Sequence, residues 1–376
     1  MPSHKNQHFV PQHYLRGFSS DGRSVPLCHL KSGQIIPKAS IKDQCSRDYF
    51  YGKDRGIEHA LRHMEGGDET VLRQVRETLQ LPNDPNDRAR LSLLAIVLSL
   101  RTEKSVDQLR GDIGEIKTET AREMVKQKAI EPPPGVAMDD IQLRDTDNLA
   151  PKMAIQSAVD NLGLLSDLST KLLLAPQNSE FLTSDHPTVM INQRFQGRTK
   201  LPSTGLAMKG IQIVLPVSPS ACLFIYDPEC YRVGVRGKDT FRIERYEDVE
   251  ALNALQILNA NAVIYFRSER LANDISAIRT KFLHRRRKSR SIQKISTYEG
   301  GIVFMLMKED VTIPTPWSFC TTRKRAPTTF GPRDSEIVSL YHRWGDEQRR
   351  RKHRISFTDW VRDNFPQMHE DLIRPK

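Results

Sequence analysis

The sequence predicts an α+β protein: a mainly antiparallel sheet packed with helices, followed by a smaller basic C-terminal segment that carries helices of its own. Three observations predict it. Helical patterning dominates the stretch before residue 170, short apolar runs broken by Pro, Ser, Asn and Gly follow, and no βαβ unit recurs. At 376 residues the chain exceeds the ~250 to 300 that a single core supports, so a core domain over residues 1–278 and a basic extension over 279–376 are expected.

The elements follow in order. In "HKNQHFVPQHYLRGFSSDG", residues 4–22, Pro11 biases Val10 towards extended backbone. The block is expected to bury Val10, Tyr14, Leu15 and Phe18 while His8 and Gln12 face a polar cleft. "GIEHALRHMEGGDETVLRQVRETL" reads as an amphipathic helical region interrupted at Gly66 and Gly67. "NDRARLSLLAIVLSLRTEKSVDQL" has a polar start at Asn86 or Asp87 and an apolar run from Leu91 to Leu100. It predicts a buried central helix near 87–108, with Arg101 at the end of the apolar run. "EPPPGVAMDDIQLRDTDN" is loop-like, and "APKMAIQSAVDNLGLLSDLS" predicts a further helix.

Strands are predicted at "KLLLAP", "FLTSD", "TVMIN", "IQIVLPVSP" and "ACLFIY". "VEALNALQILNANAVIYF" returns to helix. Its Asn253, Asn259 and Asn261 are poor helix formers and are either exposed or satisfy buried backbone groups. A strand at "GGIVFMLM" and a terminal helical pair, about 334–354 and 357–365, complete the order.

Composition excludes several classes. No stretch approaches the ~18 apolar residues of a membrane span, and the N-terminus lacks an apolar signal core, so no membrane partner and a cytoplasmic protein are expected. Five scattered cysteines without a Cys-x-x-Cys pair read as reduced thiols rather than a zinc or redox site. Gly-rich phosphate loops are absent, so no nucleotide cofactor is expected. Ser184, Asp185 and His186 are adjacent, yet without a Gly-x-Ser-x-Gly elbow they make no hydrolase triad.

The net charge of +11 is local. Residues 279–355 hold nineteen Lys or Arg against seven Asp or Glu, and the rest of the chain nearly balances. Three clusters stand out: Arg285, Arg286, Arg287, Lys288 and Arg290; Arg323, Lys324 and Arg325; Arg349, Arg350, Arg351 and Lys352. Such clusters are an electrostatic footprint for phosphate, making nucleic acid a candidate partner. The plain alternative is a solvated surface. Trp344 beside Arg343 either adds stacking or packs into the terminal helical pair.

Candidate catalytic residues lie elsewhere. His8 and Gln12 suit acid-base work or ligand positioning; equally, they can tie down a packed turn. Glu58 and Glu65 are seven residues apart and share a helix face, with Arg62 four residues after Glu58. They either present two carboxylates to a divalent metal or substrate, or form a solvated stripe. His59 and His63 repeat at four residues, but Ala60 stands where a zincin has its catalytic Glu. Arg101 ends an apolar helix and needs a carboxylate partner, with Glu58, Glu65 and Asp185 as candidates. Asp185 sits at a strand end, where "TSDHP" also reads as a plain Asx or Ser turn.

"QHFVPQHYLRGF", "DYFYGKDRGIEHALRHME", "LSLRTE", "FLTSDHPTV", "LPVSPSACLFIY" and "LNALQILNANAVIYF", in that order, resemble the family called domain of unknown function 4238 over roughly residues 4–268. The resemblance implies a bacterial-type module with no established reaction. The chain departs from that pattern at Glu103, where the family commonly has Pro, and at His186, where it commonly has Asn.

Two readings of different classes remain. One is a hydrolase of nuclease type, with His8, Gln12, Glu58, Glu65 and Asp185 in acid-base or metal-assisted roles and Arg101 stabilising charge. The other is a noncatalytic nucleic-acid-binding or partner-sensing module using the basic segment, which composition favours. A role in defence against phage or mobile DNA is compatible with the first, though no residue demonstrates it.

Overall fold

The computed structural model describes residues 5–53, 56–146, 148–199, 202–286, 291–298, 301–307, 311, 316–348 and 357–364. The N-terminal block comprises β1 (Asn6–His8), α1 (Gln12–Arg16), β2 (Ser24–His29), β3 (Ile35–Ser40) and β4 (Ser46–Asp48). β1 pairs antiparallel with β4, and α1 starts directly after Pro11, whose missing N–H costs nothing at a helix start. Val10, Tyr14, Leu15 and Phe18 are all fully buried.

A helical layer follows: α2 (Gly56–Thr78), α3 (Pro85–Leu100), α4 (Glu103–Lys126) and α5 (Leu149–Asp160). Two expectations are corrected here. Gly66 and Gly67 do not interrupt α2, because burial of Leu61, Leu72 and Val75 along one face outweighs the poor helix propensity of the glycines. Gly67 is also where the Arg90 side chain lies against the helix, in space that a Cβ would occupy. The central helix does not continue to 108. It is capped by Asp84, which accepts from Asn86 N at 2.9 Å, and it ends at Leu100; Thr102, extended at φ −69° and ψ 158°, then opens α4.

The remaining elements are β5 (Ser169–Leu174), β6 (Thr183–Ser184), β7 (Val189–Ile191), β8 (Gln212–Ser218), β9 (Ala221–Tyr226), β10 (Tyr231–Val233), β11 (Thr240–Arg242), α6 (Tyr246–Asn259), β12 (Val263–Tyr265) and α7 (Ala272–Phe282). Beyond them lie β13 (Ser291–Tyr298), β14 (Gly301–Met307), β15 (Cys320–Thr322), α8 (Glu336–Gln348) and α9 (Phe357–Asn364). The larger sheet runs β11-β5-β9-β8-β7 and the second runs β3-β2-β12-β6. Within these two sheets every pairing is antiparallel except β11 with β5, so the class is α+β.

Period-two alternation makes the larger sheet a wall between two cores. Leu172, Ile213, Leu215, Leu223 and Ile225 face the core shared with α2, α3 and α5. Leu173, Val214, Cys222 and Phe224 face the core shared with α6 and α7. Trp317 and Phe319 join this second core, stacked on each other and edge-on to Phe224. Trp344 packs against Tyr341 and Phe357, inside the terminal helical pair. No helix among the described residues is long and apolar enough to cross a membrane.

Candidate functional site

Arg101 stands at the break between α3 and α4, its side chain only 3% exposed. Its guanidinium donates to Glu65 Oε1 at 2.8 Å, to Tyr51 Oη at 3.0 Å and to the His8 carbonyl at 2.7 Å. Burial alone would weaken this cation, but Tyr51 and Glu65 more than offset it, and its pKa is raised. His8 Nε2 lies 3.0 Å from the Lys42 carbonyl, which can only accept, so this nitrogen carries the hydrogen. Gln12 Nε2 is 3.3 Å from the same nitrogen, and Gln12 Oε1 accepts from Arg16. Burial pushes the His8 pKa down, and the Arg101 charge pushes the same way.

The structure therefore brings His8, Gln12, Glu65 and Arg101 together. Glu58 is not with them; it pairs with Arg62 at 3.2 Å, so the two α2 carboxylates are engaged separately. Nor is Asp185, which accepts from the backbone amides of Asn261 at 2.7 Å, Ala262 at 2.7 Å and Val263 at 3.0 Å. Burial lifts its pKa to about 6 against those three bonds. Of the three candidate partners for Arg101, Glu65 holds the place. The guanidinium itself is buried, with the His8 carbonyl seated against it, while His8, Gln12 and Glu65 stay partly exposed around it.

Two further groups stand at this junction, of which Asp68 escaped the sequence reading. Asp68 is buried, and its carboxyl is pushed up to about 7, with Arg90 pulling the other way and Glu65 adding to the rise. Its signal was its place on the Leu61–Glu65–Asp68–Leu72–Val75 stripe, where a carboxylate falls on the apolar face of α2. His13 is buried too, its Nε2 has no hydrogen-bond partner, and burial beside Arg76, Arg101 and Arg16 drives its pKa down to about 3. No cluster of three or more His, Cys, Asp or Glu suited to a metal ion occurs among the described residues.

On the other side of the α3–α4 break, Thr102 Oγ1 and His186 Nδ1 share a 2.6 Å hydrogen bond. α6 clamps the same segment. Asn253 accepts from Leu182 N and donates to Glu180 O, Gln256 donates to Pro187 O, and Asn259 donates to His186 O and Thr188 O. Asn253 and Asn259 thus satisfy buried backbone, while Asn261 donates to the Glu103 carboxylate.

The family model described as Protein of unknown function (DUF4238) matches residues 6–270. The chain belongs to this family. No curated protein and no solved structure matches it. In this DUF4238 chain, five of the six sequence blocks that carry the resemblance are joined at one place: Arg101 to the first two blocks, Thr102 to the "TSDHP" turn, and that turn to α6. Glu103 and His186, where the chain departs from the family pattern, bind each other's neighbourhoods, Glu103 through Arg47 and Asn261 and His186 through Thr102.

The basic residues of the DUF4238 chain divide into two kinds. Arg286 is half-buried and donates to the carbonyls of Ala260 and Asn261, closing the end of α6. Arg285 is exposed beside the Phe282 ring. Arg323, Lys324 and Arg325 form an exposed turn directly after β15. Arg287, Lys288, Arg290, Arg349, Arg350, Arg351 and Lys352 lie outside the residues whose side chains are described. β15 pairs antiparallel with β10, Arg232 opposite Thr321. Beside this pair opens a groove of about 740 Å³ whose lining includes Arg88, Lys171, Arg232, Arg236 and Arg323. Among the described residues that line it, Glu229 and Asp239 are the only carboxylates, and Arg88 is bonded to Asp239.

Proposed function

We propose that this DUF4238 protein binds nucleic acid through the cationic groove at the seam of β10 and β15, in the cytoplasm. The β10–β15 pairing carries this reading, because it sets Arg232 of the core beside Arg323 of the basic segment. Arg232, Arg236 and Arg323 are exposed and line the groove, and exposed Lys324 and Arg325 follow in the chain, so several cations are available to contact a phosphate backbone. Five free, buried cysteines support a reducing compartment. Fluorescence anisotropy with labelled duplex DNA, single-stranded DNA and RNA tests the proposal. Wild type binds at least one of the three, and Arg232→Glu with Arg236→Glu weakens binding at least about tenfold. Absence of binding to all three probes at low salt, or unchanged affinity in a folded variant, contradicts it.

A second reading, an acid-base hydrolase of nuclease type, is favoured by one observation. Asp68, titrating near neutrality, belongs to the junction where His8, Gln12, Glu65 and Arg101 meet. Cleavage of a labelled oligonucleotide that survives Arg232→Glu and is lost in Asp68→Asn supports it; no cleavage with or without added divalent metal removes it.

A further inference from the structure

We propose that a second cavity, lined by α3, α4, α5, β7 and the loop through Met208, binds a mainly apolar small molecule bearing one anionic head group. The cavity measures about 550 Å³, within the range of small-molecule sites, and is separate from the cationic groove. Leu100, Leu109 and Leu206 supply a rigid apolar wall, and Met153, Met190 and Met208 supply three flexible thioethers. Methionine adapts to irregular apolar ligands, acyl or aromatic, because its side chain is unbranched and polarizable.

Lys104 and His186 both line the cavity, and none of its described lining residues is Asp or Glu. Lys104 Nζ is anchored on the Asn259 carbonyl at 2.6 Å, and His186 Nδ1 on Thr102 at 2.6 Å, so both groups are held in place at one end. The Lys104 charge is felt by Asp185, whose carboxylate is already committed to three backbone amides. A lysine and a histidine held beside a thioether-rich wall suit a carboxylate or phosphate head on an apolar body, with the head oriented by hydrogen bonds and the body by burial. A polyanionic chain does not fit such a wall, so this site is independent of the nucleic-acid reading.

Isothermal titration of the full chain with decanoate and with decanol tests the proposal. Decanoate binds with one-to-one stoichiometry, decanol binds at least tenfold more weakly, and Lys104→Met removes that difference. Gln108→Trp and Ser157→Phe, which fill the cavity from two different helices, each weaken decanoate at least tenfold. Methyl-labelled methionine spectra of wild type need no variant: three of the ten methionines, Met153, Met190 and Met208, shift on addition of decanoate. Absence of binding at millimolar decanoate, shifts confined to other methionines, or wild-type affinity in both filled variants overturns the site. Equal affinity for decanol overturns the anionic head.

Discussion

Thr102 Oγ1 and His186 Nδ1, 84 residues apart, share a hydrogen bond of 2.6 Å that ties the break between α3 and α4 to the segment clamped by α6. The helical layer and the sheet are thereby joined by buried polar groups as well as by apolar packing. Such networks are costly to leave half-satisfied, since a buried donor or acceptor without a partner retains its full desolvation penalty.

Asn259→Leu tests the clamp. The substitution leaves the carbonyls of His186 and Thr188 without their amide donor, so stability falls by about 2 to 4 kcal/mol, with each broken bond contributing ~1 to 2. Thr102→Val removes a single bond and costs about 1 kcal/mol. Urea denaturation checks both. A Leu variant as stable as wild type would show that the clamp contributes nothing.

Arg101→Met is expected to destabilise by about 3 kcal/mol or more, since it removes a buried guanidinium with its three bonds and leaves Glu65 unpaired. Glu65 is about one third exposed, so Glu65→Gln costs less, about 1 kcal/mol. Comparable losses from the two substitutions would mean that the ion pair, rather than the bonds to Tyr51 and His8, dominates the junction.

His13 and Asp68 tilt the pH dependence in opposite directions. The His13 pKa lies at about 3 in the folded chain against an ordinary 6.5, so between these values the unfolded chain binds more protons. Its contribution is complete above pH 6.5 and is lost as pH falls through that window. Asp68 rises from 3.8 to about 7, so there the folded chain binds more protons, and its penalty grows as pH climbs through that range. His13→Gln therefore flattens the acid limb of the stability profile. Asp68→Asn is more stable than wild type at pH 8, by at most about 4 kcal/mol, and gains nothing at pH 4. Parallel profiles for wild type and both variants would contradict these assignments.

What the sequence made legible was local. The short apolar runs "IQIVLPVSP" and "ACLFIY" imply strands of an antiparallel sheet, and an arginine ending an apolar helix implies a buried ion pair. Its partner was undetermined among Glu58, Glu65 and Asp185, because spacing along one helix says nothing about which turn of α2 faces α3. Asp185 was misplaced in the cleft for a related reason: its donors lie 76 to 78 residues downstream, at the turn leading into β12 and its first residue. The helix break at Arg101–Thr102 was hidden by good helix formers on both sides. Charge runs did not reveal which arginines cap carbonyls, as Arg286 does, and which stay exposed, as Arg325 does. Both cavities are assembled from distant elements and have no local signature.

The salt dependence of nucleic-acid affinity tests the central claim most directly. Anisotropy titrations of a labelled duplex across a salt series compare wild type with Arg232→Ser, Arg236→Ser and the combination of both with Arg323→Ser. Each phosphate left without its arginine lowers the magnitude of the slope of log K against log salt by about 0.9, so the triple variant is shallower by about 2 to 3 and weakest at low salt. Identical slopes and affinities in a triple variant with unchanged folding would contradict the groove as the binding surface.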